Sequence, residues 1–219
     1  MFQTVILSCP TLKGELQAAL AEASSKAAVY FLPRRLHSDP EELREYIQNM
    51  IDSFYNVRRI VLCVSGCGGG TAGLRATSAE LISPRTRDCL DILLSGRGLK
   101  SLKRDISGVY YTESWMEYSK KTDIDLERLT EKMGRGPAEE YLKRLYKNCG
   151  DFYIIDTGCY DVKKVRDYVA PLAEILERKV VLLPGGYGVL KKIAREDFDE
   201  DFKVVPKGGE MPRSFAGVG

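Results

Sequence analysis

Short apolar runs alternate with longer amphipathic stretches along almost the whole chain. A strand-like run, a helix-like stretch and a second strand-like run make a βα unit. A series of such units predicts an α/β fold built on a mostly parallel sheet with helices on both faces. The apolar runs predict strands at Thr4–Ser8, Ala28–Leu32, Arg59–Val64, Ala79–Ile82, Gly108–Thr112, Phe152–Asp156, Val180–Leu183 and Phe202–Val205. The stretches between them predict helices at Leu12–Glu22, Pro40–Phe54, Thr86–Leu94, Ser114–Lys121, Asp125–Lys132, Ala138–Asn148, Asp161–Leu176 and Val189–Arg195. Ser38-Asp39-Pro40-Glu41-Glu42 sets a cap candidate, a proline and two acids at a helix start, and Asp161 opens another. The pattern reads as one α/β domain over 1–219, or as two Rossmann-like lobes, 1–98 and 106–205, with a tail at 206–219. The polar, glycine-bearing stretch Gly96–Gly108 is where the lobes would part. The mostly helical stretch Glu113–Gly150 reads as an insertion between two strands.

A chain of 219 residues can bury a sizeable core, and 44% hydrophobic with 29% charged residues is ordinary for a globular protein. Its 33 basic and 31 acidic residues leave a net charge of +2. So even a balance carries no footprint for nucleic acid or for a membrane surface. No apolar run approaches the roughly 20 residues that cross a bilayer. The opening residues read as a first strand and not as a signal peptide. Without a secretion signal, the six cysteines are expected to be reduced thiols in a cytoplasmic protein.

In parallel α/β sheets, residues just beyond the carboxyl ends of strands face a common crevice. Cys9 follows the first predicted strand, His37 the second, Cys67 the third and Cys89 the fourth. Four successive units therefore bring three thiols and the only imidazole to one edge. Thiolate and neutral imidazole are the usual zinc ligands, and thiolates also hold iron–sulfur clusters. Three protein ligands leave an open coordination position, as catalytic zinc sites do. Spacing alone does not select this reading, because the chain has no CxxC pair and no HExxH. The plainer reading makes Cys9, Cys63 and Cys89 small core residues, and His37 a surface residue leading a helix. Cys149 reads as a helix-end thiol, and Cys159 stands in reserve at the same edge.

Glycine loops occupy that edge as well. Gly66, Gly68 and Gly69 lie in a dense cluster after the third strand, and Gly185 and Gly186 follow the seventh. Backbone N–H groups of such loops can cradle an anion, though neither loop is a Walker A or a GxGxxG motif. Arg85 and Arg87 are candidate counter-charges. Arginine at a helix start opposes the helix dipole, so its presence there asks for a reason. Tyr111 and Trp115 could wall a pocket or anchor a helix on the sheet. Asp156 and Gly158 end the sixth strand, where the carboxylate could orient His37 or cap the next helix.

These motifs resemble the domain of unknown function 1638 family of bacteria and archaea. The shared residues are Cys9 with Glu15, Leu36-His37 with Pro40, Gly66-Cys67-Gly68 with Gly73-Leu74, Pro84-Arg85 with Asp88-Cys89, Tyr111 with Trp115, and Asp156-Thr157-Gly158. The resemblance implies an association with corrinoid-dependent methyl transfer, in which zinc held by His and Cys activates a thiol.

Three functions follow as expectations. The first is a zinc-dependent enzyme acting on a small molecule, in methyl or one-carbon transfer, with His37, Cys67, Cys89 and Cys9 as metal ligands. The second is a non-catalytic accessory protein that holds an iron–sulfur cluster or meets a corrinoid protein. The third is a metal-free enzyme with Cys67 as nucleophile and His37 as its base.

Overall fold

The computed structural model describes residues 4–64, 66, 69–96, 99 and 104–212. The chain forms two compact units, Met1–Leu102 with Gly186–Gly219, and Lys103–Gly185.

The first unit carries a five-stranded sheet in the order β2-β1-β3-β4-β8. Its strands are β1 (Thr4–Ser8), β2 (Ala28–Phe31), β3 (Arg59–Cys63), β4 (Glu80–Pro84) and β8 (Phe202–Val205). β1 lies parallel to both β2 and β3, with Val5 opposite Ala28 and Ile60. β3 lies parallel to β4, and β8 closes the sheet antiparallel to β4. All five β1 residues are buried, as expected of a parallel strand covered on both faces. Val5 and Leu7 join Ile60, Leu62 and Leu81 in a core completed by Leu43, Ile47 and Ile51. Those last three lie on α2 (Pro40–Ser53), spaced four residues apart along one helix face. α1 (Lys13–Glu22) packs against α8 (Gly188–Arg195).

Strand order reverses at β1. The chain steps outward from β1 to β2, then crosses back to β3 on the other side. The crevice at such a reversal, beyond the carboxyl ends of β1 and β3, is where open α/β sheets bind ligands.

The second unit has a parallel three-stranded sheet, β5-β6-β7, made of Val109–Tyr111, Phe152–Asp156 and Val180–Pro184. The predicted helical insertion is three helices, α4 (Glu113–Ser119), α5 (Leu126–Met133) and α6 (Arg135–Leu145). They share a core with β5, β6 and α7 (Val162–Ile175). Asp39, Thr112, Asp125 and Asp161 cap α2, α4, α5 and α7 by accepting backbone N–H bonds.

Two features differ from expectation. The division at 98/106 does not keep the rest of the chain in one lobe: α8 and β8 return to the first unit, because β8 pairs with β4. The helix expected from Thr86 is α3 (Cys89–Leu94), since Asp88 accepts from Leu90 and Asp91 N–H and caps it there. The tail docks through residue 212. Gly208 and Met211 donate to the carbonyls of Ala76 and Leu74, and Ala76 and Gly73 donate back to Gly209 and Met211. Met211 is fully buried in the first core; the tail from 213 lies outside the described residues.

Candidate functional site

Cys9 is the residue after β1, and its N–H donates to the Cys63 carbonyl, which extends the β1–β3 ladder by one step. Pro10 then starts a 3-10 turn, Pro10–Leu12, whose entry fixes Cys9 with an extended backbone. Its thiol is 2% exposed. His37 lies on a second 3-10 turn, Arg34–Ser38, between β2 and α2. Leu36 beside it is fully buried in the same core as Cys9, and Cys89 packs against that core from the first residue of α3.

Cys9 is the side chain that the other two reach. The Cys9 thiol lies within hydrogen-bonding reach of the Cys89 thiol, the His37 imidazole and the Thr11 hydroxyl. The Cys89 thiol, followed by His37, draws the Cys9 thiol well below its ordinary pKa, against the opposing effect of burial. His37 moves the other way: its contact with Cys9 raises it, and burial and the Arg34 charge only partly offset the rise. The two directions are those of a thiol and an imidazole that favour each other's charged forms, as neighbours of activated thiols do. Nε2 of His37 is itself buried and has no hydrogen-bond partner among the described residues.

Sequence reasoning missed Thr11 and Arg34. Arg34 Nη1 donates to Thr11 Oγ1 at 3.0 Å and so ties the turn after β1 to the turn after β2. Their signal was present, because Thr11 stands two residues after Cys9 and Arg34 three before His37. Cys63 is fully buried in β3, and burial pushes its thiol up, so it is an inert core residue.

Cys67 and Gly68 lie outside the described residues. Gly66 N–H donates to the Thr86 carbonyl. A Cβ on Gly66 would come within 2.6 Å of the Arg87 carbonyl. Glycine there lets the loops after β3 and β4 touch backbone to backbone. Gly69 has φ +96°, which favours glycine.

The candidate arginines have other partners. Arg85 Nε donates to the Phe202 carbonyl on β8. Arg87 binds Asp91 with both Nε and Nη2 at 2.8 Å, and the Asp91 side chain is 1% exposed. That buried carboxylate explains an arginine at a helix start. Gly186 donates to the Leu93 carbonyl at the end of α3.

Gly185, Tyr111, Trp115, Asp156 and Gly158 belong to the second unit. Tyr111 is 1% exposed in its core, against Phe152 and Tyr168, and Trp115 packs on the same core. Both anchor α4 on the sheet. Asp156 accepts the Gly158 N–H through its side chain, and its carbonyl accepts from Gly185.

No group of three or more His, Cys, Asp or Glu side chains among the described residues is set to hold a metal ion. Cys9, His37 and Cys89 are thus a cluster of donors in contact, not a finished coordination shell. A cleft of about 340 Å³ lined by Asp52, Tyr55, Thr77 and Lys207 lies among residues preceding β3 and β4, away from the cysteines. No described helix is long and apolar enough to cross a membrane.

Fold and site together define an α/β protein with two mostly parallel sheets and a thiol–thiol–imidazole cluster where the strand order of the first reverses. The chain belongs to the family described as Protein of unknown function (DUF1638), whose profile matches residues 31–194. The match includes His37, Cys67 and Cys89 and begins after Cys9. No curated protein and no solved structure shows significant similarity to it.

Proposed function

We propose that this chain is a metal-binding enzyme that acts on a small molecule at the carboxyl edge of its first sheet. Cys9, His37 and Cys89 are the ligands, and the fourth position stays open for a bound thiol or water. One observation carries the reading: a second thiol and the only imidazole both reach Cys9, and His37 Nε2 is buried without a partner among the described residues. A buried nitrogen without a partner is costly, and a metal ion relieves that cost. The donor set is that of zinc.

Zinc would supply a Lewis acid that lowers the pKa of a bound thiol or water to the neutral range. The chain's own residues prepare for it. Cys9 is drawn toward thiolate before any metal arrives. Thr11 and Arg34 hold the two turns together. Because contact with Cys9 raises the His37 pKa, protons compete with a metal for the imidazole more strongly than for a free histidine, so affinity falls as pH falls. Cys9 is too deeply buried to serve as a free nucleophile, which favours the ligand role for that thiol. Corrinoid-linked methyl transfer rests on the family resemblance alone.

The test is metal analysis of protein purified without added metal. The reading expects close to one equivalent of zinc per chain, lost in Cys9→Ser, Cys89→Ser and His37→Ala. Brown protein containing iron and sulfide would favour the accessory, iron–sulfur alternative. Less than about a tenth of an equivalent, with stability indifferent to chelator, contradicts both.

A further inference from the structure

Arg44 stands on the second turn of α2, beside the glycine loop that follows β3. Its Nη2 donates to the Gly69 carbonyl at 3.3 Å, a long bond. Its Nε is buried and has no partner among the described residues. Arg35 pairs with Glu42, Arg59 with Glu80 and Glu196, and Arg87 with Asp91, while Arg34 and Arg85 donate to the Thr11 hydroxyl and the Phe202 carbonyl. No carboxylate pairs with Arg44 among the described residues. A guanidinium presents its Nε and Nη donors as a planar fork, and its natural complement is an oxyanion held by two parallel bonds. The Gly69 carbonyl fills half of that fork and leaves the other half empty.

The surroundings suit an exchange of partners. Gly69 has φ +96°, and a Cβ there would meet nothing within 4 Å. The loop therefore has open volume at the residue that Arg44 holds, and the Gly69 carbonyl also accepts the Ala72 N–H at 3.0 Å, so it keeps a partner when Arg44 turns to an anion. Leu43, next to Arg44, packs against Gly70 with no room for a Cβ, since its Cδ2 would lie 2.6 Å away. That contact holds α2 against the loop.

We infer that Arg44 and the loop at Gly69 form an oxyanion-binding subsite in which a carboxylate or phosphate displaces the Gly69 carbonyl and takes the Nε–Nη2 edge of Arg44. The inference rests on the proposed function for its meaning, since it gives the small-molecule substrate an anionic group. Its test does not need the metal.

The experiment titrates inorganic phosphate and, separately, succinate into the full-length protein. Binding is followed by calorimetry and by the arginine Nε–H resonances. Variants Arg44→Gln, Arg44→Lys and Arg85→Gln are compared, with metal content measured on each. The expected result is that one anion binds and shifts the Arg44 resonance, and that Arg44→Gln weakens binding at least about tenfold, as loss of a charge-assisted pair should. Arg44→Lys should be weakened less, and Arg85→Gln should bind like the wild type. Phosphate alone would mark a phosphorylated substrate, and succinate alone a carboxylic acid. The inference is overturned if neither anion binds, if Arg44→Gln binds as well as the wild type, or if both Arg44 variants fail to fold, which would make Arg44 part of the scaffold. If the protein purifies with less than about a tenth of an equivalent of metal and still binds the anion through Arg44, the metal reading fails and this subsite stands.

Discussion

Cys9 is drawn by its neighbours to a charge state that its burial opposes. Sequence could place it after a strand, but its partners come from loops after β1, β2 and β4, joined only by topology. In the metal-free protein its thiolate should appear below the ordinary thiol pKa of 9.0, and His37 should stay protonated above 6.5. The signs follow from linkage. The Cys9 contribution to stability is present above 9.0 and is lost as pH falls through its lowered value. The His37 contribution is present below 6.5 and is lost as pH rises through its raised value. Ultraviolet titration of chelator-treated protein should therefore show an early thiolate step that is missing in Cys9→Ser and moved to higher pH in His37→Ala. An unmoved step in His37→Ala would show that the imidazole does not act on the thiol. Arg44 was not legible at this scale: nothing in its sequence setting says that a helix arginine will find no carboxylate.

At the scale of elements, the strands were legible because parallel strands buried on both faces read as apolar runs. Helix starts were legible where an aspartate announced them, as at Asp39 and Asp161. The start of α3 falls three residues later than expected, because Asp88 and not Thr86 accepts the first free N–H groups, those of Leu90 and Asp91. The 3-10 turns bearing His37 and following Cys9 were not foreseen either, although they aim the site. The contact of Gly66 with the loop after β4 gives a direct check. A methyl group there meets backbone at 2.6 Å. Gly66→Ala should then lower unfolding stability by about 1–3 kcal/mol, the usual cost of overpacking. It should also loosen metal binding, because it separates the loop from the one that carries Cys89. Unchanged denaturation and metal content would mean that the two loops do not brace each other.

Over the whole molecule, the α/β class was legible from alternation alone, whereas the path of the chain was not. Nothing local distinguishes a strand that continues the second sheet from one that returns to the first. β8 returns, and the tail behind it pins Ala76 through Gly208 and Gly209 and Leu74 through Met211. Met211→Ala should cost about 2–5 kcal/mol, as expected for a fully buried methionine, measured by urea unfolding. A loss below half a kilocalorie would show the tail to be dispensable. The central claim is that units far apart in sequence deliver sulfur and imidazole nitrogen to one ion. X-ray absorption at the metal edge of protein purified without added metal tests it most directly. The account predicts sulfur neighbours at about 2.3 Å with nitrogen at about 2.0 Å. The sulfur signal should shrink in Cys9→Ser and in Cys89→Ser. A shell of oxygen and nitrogen alone, or one that neither variant alters, would contradict it.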